Sequence, residues 1–292
     1  MRPHFRLRRS ALYVPASNPR AMEKASSLPA DVLILDLEDA VLPEAKVAAR
    51  RAAASAVAAR RFGDREVAVR VNALETPWGA EDLAEVAASA PHAVLAPKIR
   101  ARDDVLACEA ALAAAPPSTR LWAMIETPQA VLAIGDIAAA SRETRLSGLV
   151  MGINDLARET RARQTPDRAA FHSALFLAVA AARTNGLGVL DGVHNEIDDL
   201  VQLEAACRQG VEFGFDGKTL IHPSHIEICN RVFSPQPEEI AWAQAVIAAF
   251  GDPRNAGKGA LRVEGRLAER LHLEQSQALL AVAEAIAERE RK

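Results

Sequence analysis

Eight short runs rich in Val, Ile and Leu recur along the chain, each followed by a longer, Ala-rich stretch of helical period. The runs are Ala11–Ser17, Asp31–Asp39, Glu66–Asn72, Ala93–Ile99, Leu121–Thr127, Gly148–Asp155, Gly188–Val193 and Phe213–Ile221. Helices are predicted near 19–28, 44–61, 79–90, 102–115, 129–140, 167–185, 196–209 and 223–233, several opened by a cap followed by proline, as in Asn18-Pro19 and Thr127-Pro128. A parallel sheet with crossover helices requires that alternation, and eight such units at a spacing of roughly 20–35 residues are the signature of a (β/α)8 barrel. A doubly wound open sheet is the rival, but it needs no eighth unit and usually carries a Gly-rich first turn. Here that turn is Pro15-Ala16-Ser17-Asn18-Pro19, without glycine.

The expected division is a barrel over residues 1–233 and a C-terminal helical extension and lid over 234–292. In the extension, Pro237–Phe250 reads as a helix, the stretch from Gly251 to Gly265 as a mobile loop, and Leu271–Glu288 as an amphipathic helix. With 35 Lys plus Arg against 38 Asp plus Glu, the chain has no electrostatic case for nucleic acid or an anionic membrane. No apolar run is long enough to span a bilayer, and Met1 to Ser10 carries four Arg without the apolar stretch of a signal peptide. Cys108, Cys207 and Cys229 lie far apart and form no CxxC pair, so buried thiols in a reducing, cytoplasmic compartment are expected.

In a barrel of this kind the active site forms at the C-terminal ends of the strands. Nearly every run ends there in an ionisable group: Asp36, Glu38 and Asp39 on the second, Arg70 on the third, Lys98 on the fourth, Glu126 on the fifth, Asp155 on the sixth. Crowded carboxylates repel, and hard oxygen donors without a Cys cluster or HExxH point to Mg2+, with Mn2+ as substitute. Glu126 and Asp155, closing adjacent strands, are best placed to share the ion, with Asp36, Glu38 and Asp39 as competitors. Arg70 could hold a substrate carboxylate bidentately, or equally form a salt bridge to Glu38 or Asp39.

Several segments together resemble the citrate lyase beta-subunit-like proteins, CoA-ester lyases of the HpcH/HpaI aldolase superfamily. They are Arg9 to Pro15, Asn18-Pro19-Arg20, Leu35 to Val41, Val69 to Asn72, Thr76 to Gly79, Ala96-Pro97-Lys98, Ile125 to Pro128, Gly152 to Leu156, Gly214 to Lys218 and Ile221 to Ser224. The resemblance implies Mg2+ on Glu126 and Asp155, with Asp36, Glu38 and Asp39 supporting them, and Arg70 at the substrate. It places Tyr13, Arg20, Lys24 and the Ile221-His222 backbone against the CoA part. It also implies a late acidic residue, carried by a segment that covers a neighbouring subunit's site in a homotrimer or hexamer. Glu269 stands where relatives commonly have Asp, and Asn154 where the citrate lyase subunit usually has Glu. Lys98 and Lys218 read as structural or anion-contacting.

The activity implied is cleavage or formation of a 3-hydroxyacyl-CoA such as malyl-CoA, citramalyl-CoA or citryl-CoA, with an acyl-CoA and a 2-oxo acid as partners. The alternatives are a metal-dependent aldolase on free 2-oxo acids, malate-synthase or thioesterase behaviour, and a subunit inactive outside a citrate lyase complex.

Overall fold

In the computed structural model, which describes residues 6–291, eight parallel strands close into a barrel in sequential order, β1 to β8. They are β1 Ser10–Pro15, β2 Val32–Asp36, β3 Glu66–Arg70, β4 Ala93–Ala96, β5 Arg120–Ile125, β6 Leu146–Met151, β7 Gly188–Asp191 and β8 Gly217–Leu220. The crossovers carry α1 Pro19–Ala25, α2 Lys46–Ala58, α3 Gly79–Ser89, α4 Arg102–Ala111, α5 Pro128–Leu132, α6 Ile134–Ala139, α7 Ile153–Thr160, α8 His172–Thr184, α9 Leu200–Phe213 and α10 Ile226–Val232. The first five residues of the Arg-rich N-terminal segment lie outside the described residues. No described helix is long and apolar enough to cross a membrane.

The strands are near-continuous apolar runs because helices cover their outer faces while side chains fill the ring: Val32 to Asp36 are all buried. Inside the ring Ala11, Ile34, Ala68, Leu95, Trp122, Met124, Val150 and Leu190 pack together. Side chains alternate along a strand, so the residue two positions on faces the same interior one layer higher. For four strands that residue is Tyr13, Asp36, Arg70 or Glu126. The packed core thus delivers its own active-site layer, and register sets Asp36 beside Arg70. The predicted caps form, Asn18 accepting from the Ala21 amide and Thr127 from the Ala130 amide.

Two boundaries differ from expectation. The sixth strand ends at Met151, so Asp155 sits in the first turn of α7 instead of on the strand. The predicted helix over 129–140 is two short helices that break at Ala133.

Residues 8–230 form one compact unit, and the chain from Arg231 onward belongs to a second. The second holds α11 Pro237–Gly251, β9 Ala260–Val263, β10 Arg266–Glu269 and α12 Arg270–Glu290. The end of the stretch expected to be a mobile loop is one arm of an antiparallel hairpin. Its two-residue turn, Glu264-Gly265, has φ of 45° and 84°, the backbone that a tight hairpin of this length requires. Leu261, Val263 and Ala268 pack with Val246, Trp242, Phe250 and Leu273, and that burial fixes the hairpin on the two helices.

Candidate active site

The β2 and β3 ends supply an ion-paired platform. The Arg70 guanidinium donates to both Asp36 oxygens at 2.7 Å, and its Nη1 lies 2.8 Å from Glu38 Oε2 and 3.3 Å from Asp39 Oδ2. Of the two readings of Arg70, the structure shows the salt bridges: Asp36 occupies the two-pronged face, and Nη1 is paired with Glu38 and Asp39. Asp36 also accepts from the Glu38 and Ala40 amides, which folds the β2 loop over itself. Beneath it the buried Lys46 ammonium donates to the Leu37 and Glu38 carbonyls and to Asn72 Oδ1.

The Tyr13 ring lies under Arg70, with the guanidinium carbon 4.7 Å from its centroid. The resemblance groups Tyr13 with Arg20 and Lys24. Its ring packs instead on the barrel's interior layer, and burial pushes its hydroxyl pKa up. Arg20 and Lys24 are exposed on α1, one turn apart, with no ion pair among the described residues. Ile221 is exposed just past β8, and His222 caps the next turn through Ser224.

At the β4 to β6 ends the Lys98 amide donates to Glu126 Oε1 at 2.7 Å. The Lys98 ammonium is hydrogen-bonded to Asp155, 3.2 Å from Glu126 and 3.9 Å from Glu38. The Lys98 ammonium thus bridges the Glu126 and Asp155 carboxyls. Asp155 lies in the first turn of α7, where the helix dipole favours negative charge, and pairs with Arg158 at 2.5 Å. Room for Glu126 comes from Gly152. A Cβ there would stand 2.4 Å from Glu126 Cβ and 2.6 Å from its Oε2.

The electrostatics follow from crowding. Burial raises the Glu38 carboxyl pKa to about 8, against the pull of Arg70 and with a push from Glu126. Burial likewise raises Glu126, with Lys98 opposing it. For Asp155 burial acts upward too, but the hydrogen bond and charge of Lys98 outweigh it and hold this carboxyl below its ordinary value. Four carboxyl groups with side chains no more than 13 % exposed, Asp36, Glu38, Glu126 and Asp155, face Arg70, Lys98 and, from the solvent side, Arg158. The acids outnumber the cations, an imbalance that a bound divalent ion would relieve. No group of three or more His, Cys, Asp or Glu ligands occurs among the described residues, and Mg2+ commonly needs only one or two carboxylates. Glu126 and Asp155 fit such an ion, and the Lys98 ammonium marks the place a cation takes between them.

Sequence reasoning missed the parts played by Lys98, Gly152 and Lys46. Pro97-Lys98 at a strand end was a usable signal for the first. Nothing in the sequence foretells the close approach of Gly152 to Glu126. Glu269 belongs to the second unit, at the end of β10, where its amide donates to His272 Nδ1 at 2.9 Å.

The sequence profile of the HpcH/HpaI aldolase/citrate lyase family matches residues 9–223. The chain belongs to that family. It is 47 % identical over 279 residues to a (3S)-malyl-CoA thioesterase of Cereibacter sphaeroides, covering 96 % of this chain and 95 % of that protein. It is 32 % identical to the citrate lyase subunit beta of Escherichia coli, covering 96 % and 94 %. Among solved structures it resembles protein CitE from Mycobacterium tuberculosis in complex with magnesium, acetoacetate and coenzyme A, at a TM-score of 0.77 and 30 % identity, over 94 % of this chain and 97 % of that one. A citrate lyase from Burkholderia xenovorans superposes at a TM-score of 0.84 over 97 % and 93 %, and at 22 % identity it speaks to the fold alone.

Proposed function

We propose that this chain is a magnesium-dependent enzyme that hydrolyses a malyl-CoA-type thioester to the free 3-hydroxy acid and coenzyme A. The observation that carries the proposal is the bridging of Glu126 and Asp155 by the Lys98 ammonium in a cluster where acids outnumber cations, at the rim where barrel enzymes do their chemistry. Residue patterns alone favour carbon–carbon cleavage. The 47 % identity to a (3S)-malyl-CoA thioesterase moves the preference to hydrolysis.

Glu126 and Asp155 would hold Mg2+, with Mn2+ as substitute, and the ion would supply Lewis-acid chemistry there. Asp36, Glu38 and Asp39 fix Arg70, whose Nη1 side offers a buried positive charge to the acyl oxygen. That contact strengthens as the water oxygen adds to the thioester carbon and charge develops on the carbonyl oxygen. The C–S bond then breaks, and the CoA sulfur leaves with the proton that Glu269 has taken from the attacking water. Glu269 takes the proton that the attacking water loses, acting as general base in a lid contributed by a neighbouring subunit of a homotrimer or hexamer. Arg20 and Lys24 meet the CoA phosphates, and the Ile221-His222 backbone lines the CoA pocket. Tyr13, which the resemblance assigns to CoA, is proposed to support Arg70 from below. The enzyme works in the cytoplasm.

A second reaction, cleavage to acetyl-CoA and glyoxylate, is favoured by the family's description and the 32 % identity to a citrate lyase beta subunit. The test is product analysis by mass spectrometry after incubating the purified chain with malyl-CoA and Mg2+. Malate with free CoA, abolished by EDTA, supports hydrolysis. Acetyl-CoA with glyoxylate establishes cleavage instead, and no turnover of any kind identifies a subunit inert by itself.

A further inference from the structure

Lys98 is built into the acidic cluster more tightly than a surface lysine contacting an anion would be. Its backbone is in the left-handed region, with φ of 55°. That conformation is unfavourable for a residue with a Cβ and persists where surrounding contacts enforce it. Here its amide is tied to Glu126 Oε1, and the same turn sends the ammonium back over Glu126 to Asp155. One residue thus contacts both acids, with main chain and side chain. The ammonium is partly accessible, its side chain being 21 % exposed, and so it can leave without rearranging the core. A third acceptor, Glu38 Oε1, stands 3.9 Å away on the side toward Arg70.

Resting on the metal-site reading above, we propose that Lys98 is a displaceable internal counter-ion. With no metal bound, its ammonium holds Glu126 and Asp155 together; an incoming divalent cation replaces it there, and the ammonium moves toward Glu38. The physical basis is competition for the same two carboxylates. Two carboxylates pressed together without a cation repel, so a permanent neighbour of opposite charge keeps the vacant cluster folded. That neighbour must be displaced before the metal gains full access, so metal affinity is set lower than the bare carboxylates would give. The ammonium's short step toward Glu38 keeps the lysine beside an acceptor after displacement.

The test titrates EDTA-stripped, dialysed protein with Mn2+, following free Mn2+ by electron paramagnetic resonance, and compares wild type with Lys98→Met, Lys98→Arg and Glu126→Gln. Lys98→Met keeps most of the stem and removes the charge. It is expected to bind Mn2+ at least tenfold more tightly than wild type, while its melting temperature in EDTA falls by several degrees and recovers at saturating Mn2+. Lys98→Arg, which keeps the charge, should bind close to wild type, and Glu126→Gln should lose the site. Wild-type or weaker Mn2+ affinity in Lys98→Met overturns the inference while leaving the metal site standing. Failure of wild type to bind Mn2+, or binding unaffected by Glu126→Gln, overturns the site and the inference together.

A measurement on the unaltered chain covers the case in which Lys98→Met does not fold. Acetylation of Lys98 by acetic anhydride, read by peptide mass spectrometry, should be several-fold faster with saturating Mn2+ than in EDTA. Lys218, buried against Asp191, is the internal control for general opening. An unchanged or slower rate at Lys98 contradicts displacement.

Discussion

Glu126 keeps its position through two neighbours that are not themselves acids. Lys98 clamps one of its oxygens by a main-chain hydrogen bond, and Gly152 leaves the space that its side chain fills. A methyl group at position 152 would overlap Glu126 Cβ and Oε2, and the Cβ is tied directly to the backbone. Gly152→Ala is therefore expected to weaken Mn2+ binding at least tenfold and to destabilise the fold by about 1–3 kcal/mol, the usual cost of overpacking. Isothermal titration with Mn2+ and urea unfolding read the two effects separately. The same crowding explains why only part of the site is legible in the sequence. Spacing places Glu126 and Asp155 at neighbouring strand ends, but not the lysine between them, because Lys98 reaches the pair through a left-handed turn that no residue pattern announces. Arg70 illustrates the converse. Its salt bridges to Glu38 and Asp39 could be anticipated, whereas the dominant partner is Asp36, its register neighbour, and register emerges only when strands pair.

The strand–helix units carry the fold because each strand is buried on both faces and its alternation is set by the ring. The eight runs were legible for that reason, while the boundaries after β6 were not. The apolar run continues through Ile153, which is buried on a helix. In the tail, a Gly count suggested mobility where Leu261 and Val263 alternate inward as a strand; short hairpins resemble loops until a core is found for them. Between the barrel and its helices, the β7 and β8 ends share a second ionic centre. Buried Asp191 accepts two bonds from Arg168, at 2.8 and 2.7 Å, and one from Lys218 at 2.8 Å. Burial acts to raise its pKa, but Lys218 and Arg168 outweigh it and hold this carboxyl below 3.8. A carboxyl depressed on folding contributes stability that is complete above its unfolded pKa and is lost as pH falls through the folded one. Asp191→Asn should cost about 3–5 kcal/mol at neutral pH, because buried Lys218 and half-buried Arg168 lose their counter-charge. It should also flatten the acid limb of the melting-temperature profile below pH 3.8, which differential scanning calorimetry across pH checks. In the second unit, Glu269 ends β10 at an exposed position. Glu269→Gln is expected to lower kcat on the order of 10²-fold or more with the melting temperature unchanged, and steady-state kinetics beside a thermal melt separates the two.

The whole molecule divides its labour between a barrel unit that holds charge in place and exposed groups available to a large ligand. Arg20 and Lys24 make no ion pair among the described residues, yet share one helix face at a strand-end rim. If they meet CoA phosphates, Arg20→Ala with Lys24→Ala should raise KM for malyl-CoA at least tenfold with little change in kcat, since such remote binding is felt equally in ground and transition states. Unchanged kinetics would point to a substrate without CoA. The central claim concerns the crowded acids at the barrel rim and the ion they call for. Anomalous scattering from crystals soaked in Mn2+ measures this directly. The account predicts one strong peak within bonding distance of both Glu126 and Asp155, absent in Glu126→Gln. A peak at another site, or none at Mn2+ concentrations that support turnover, would contradict it.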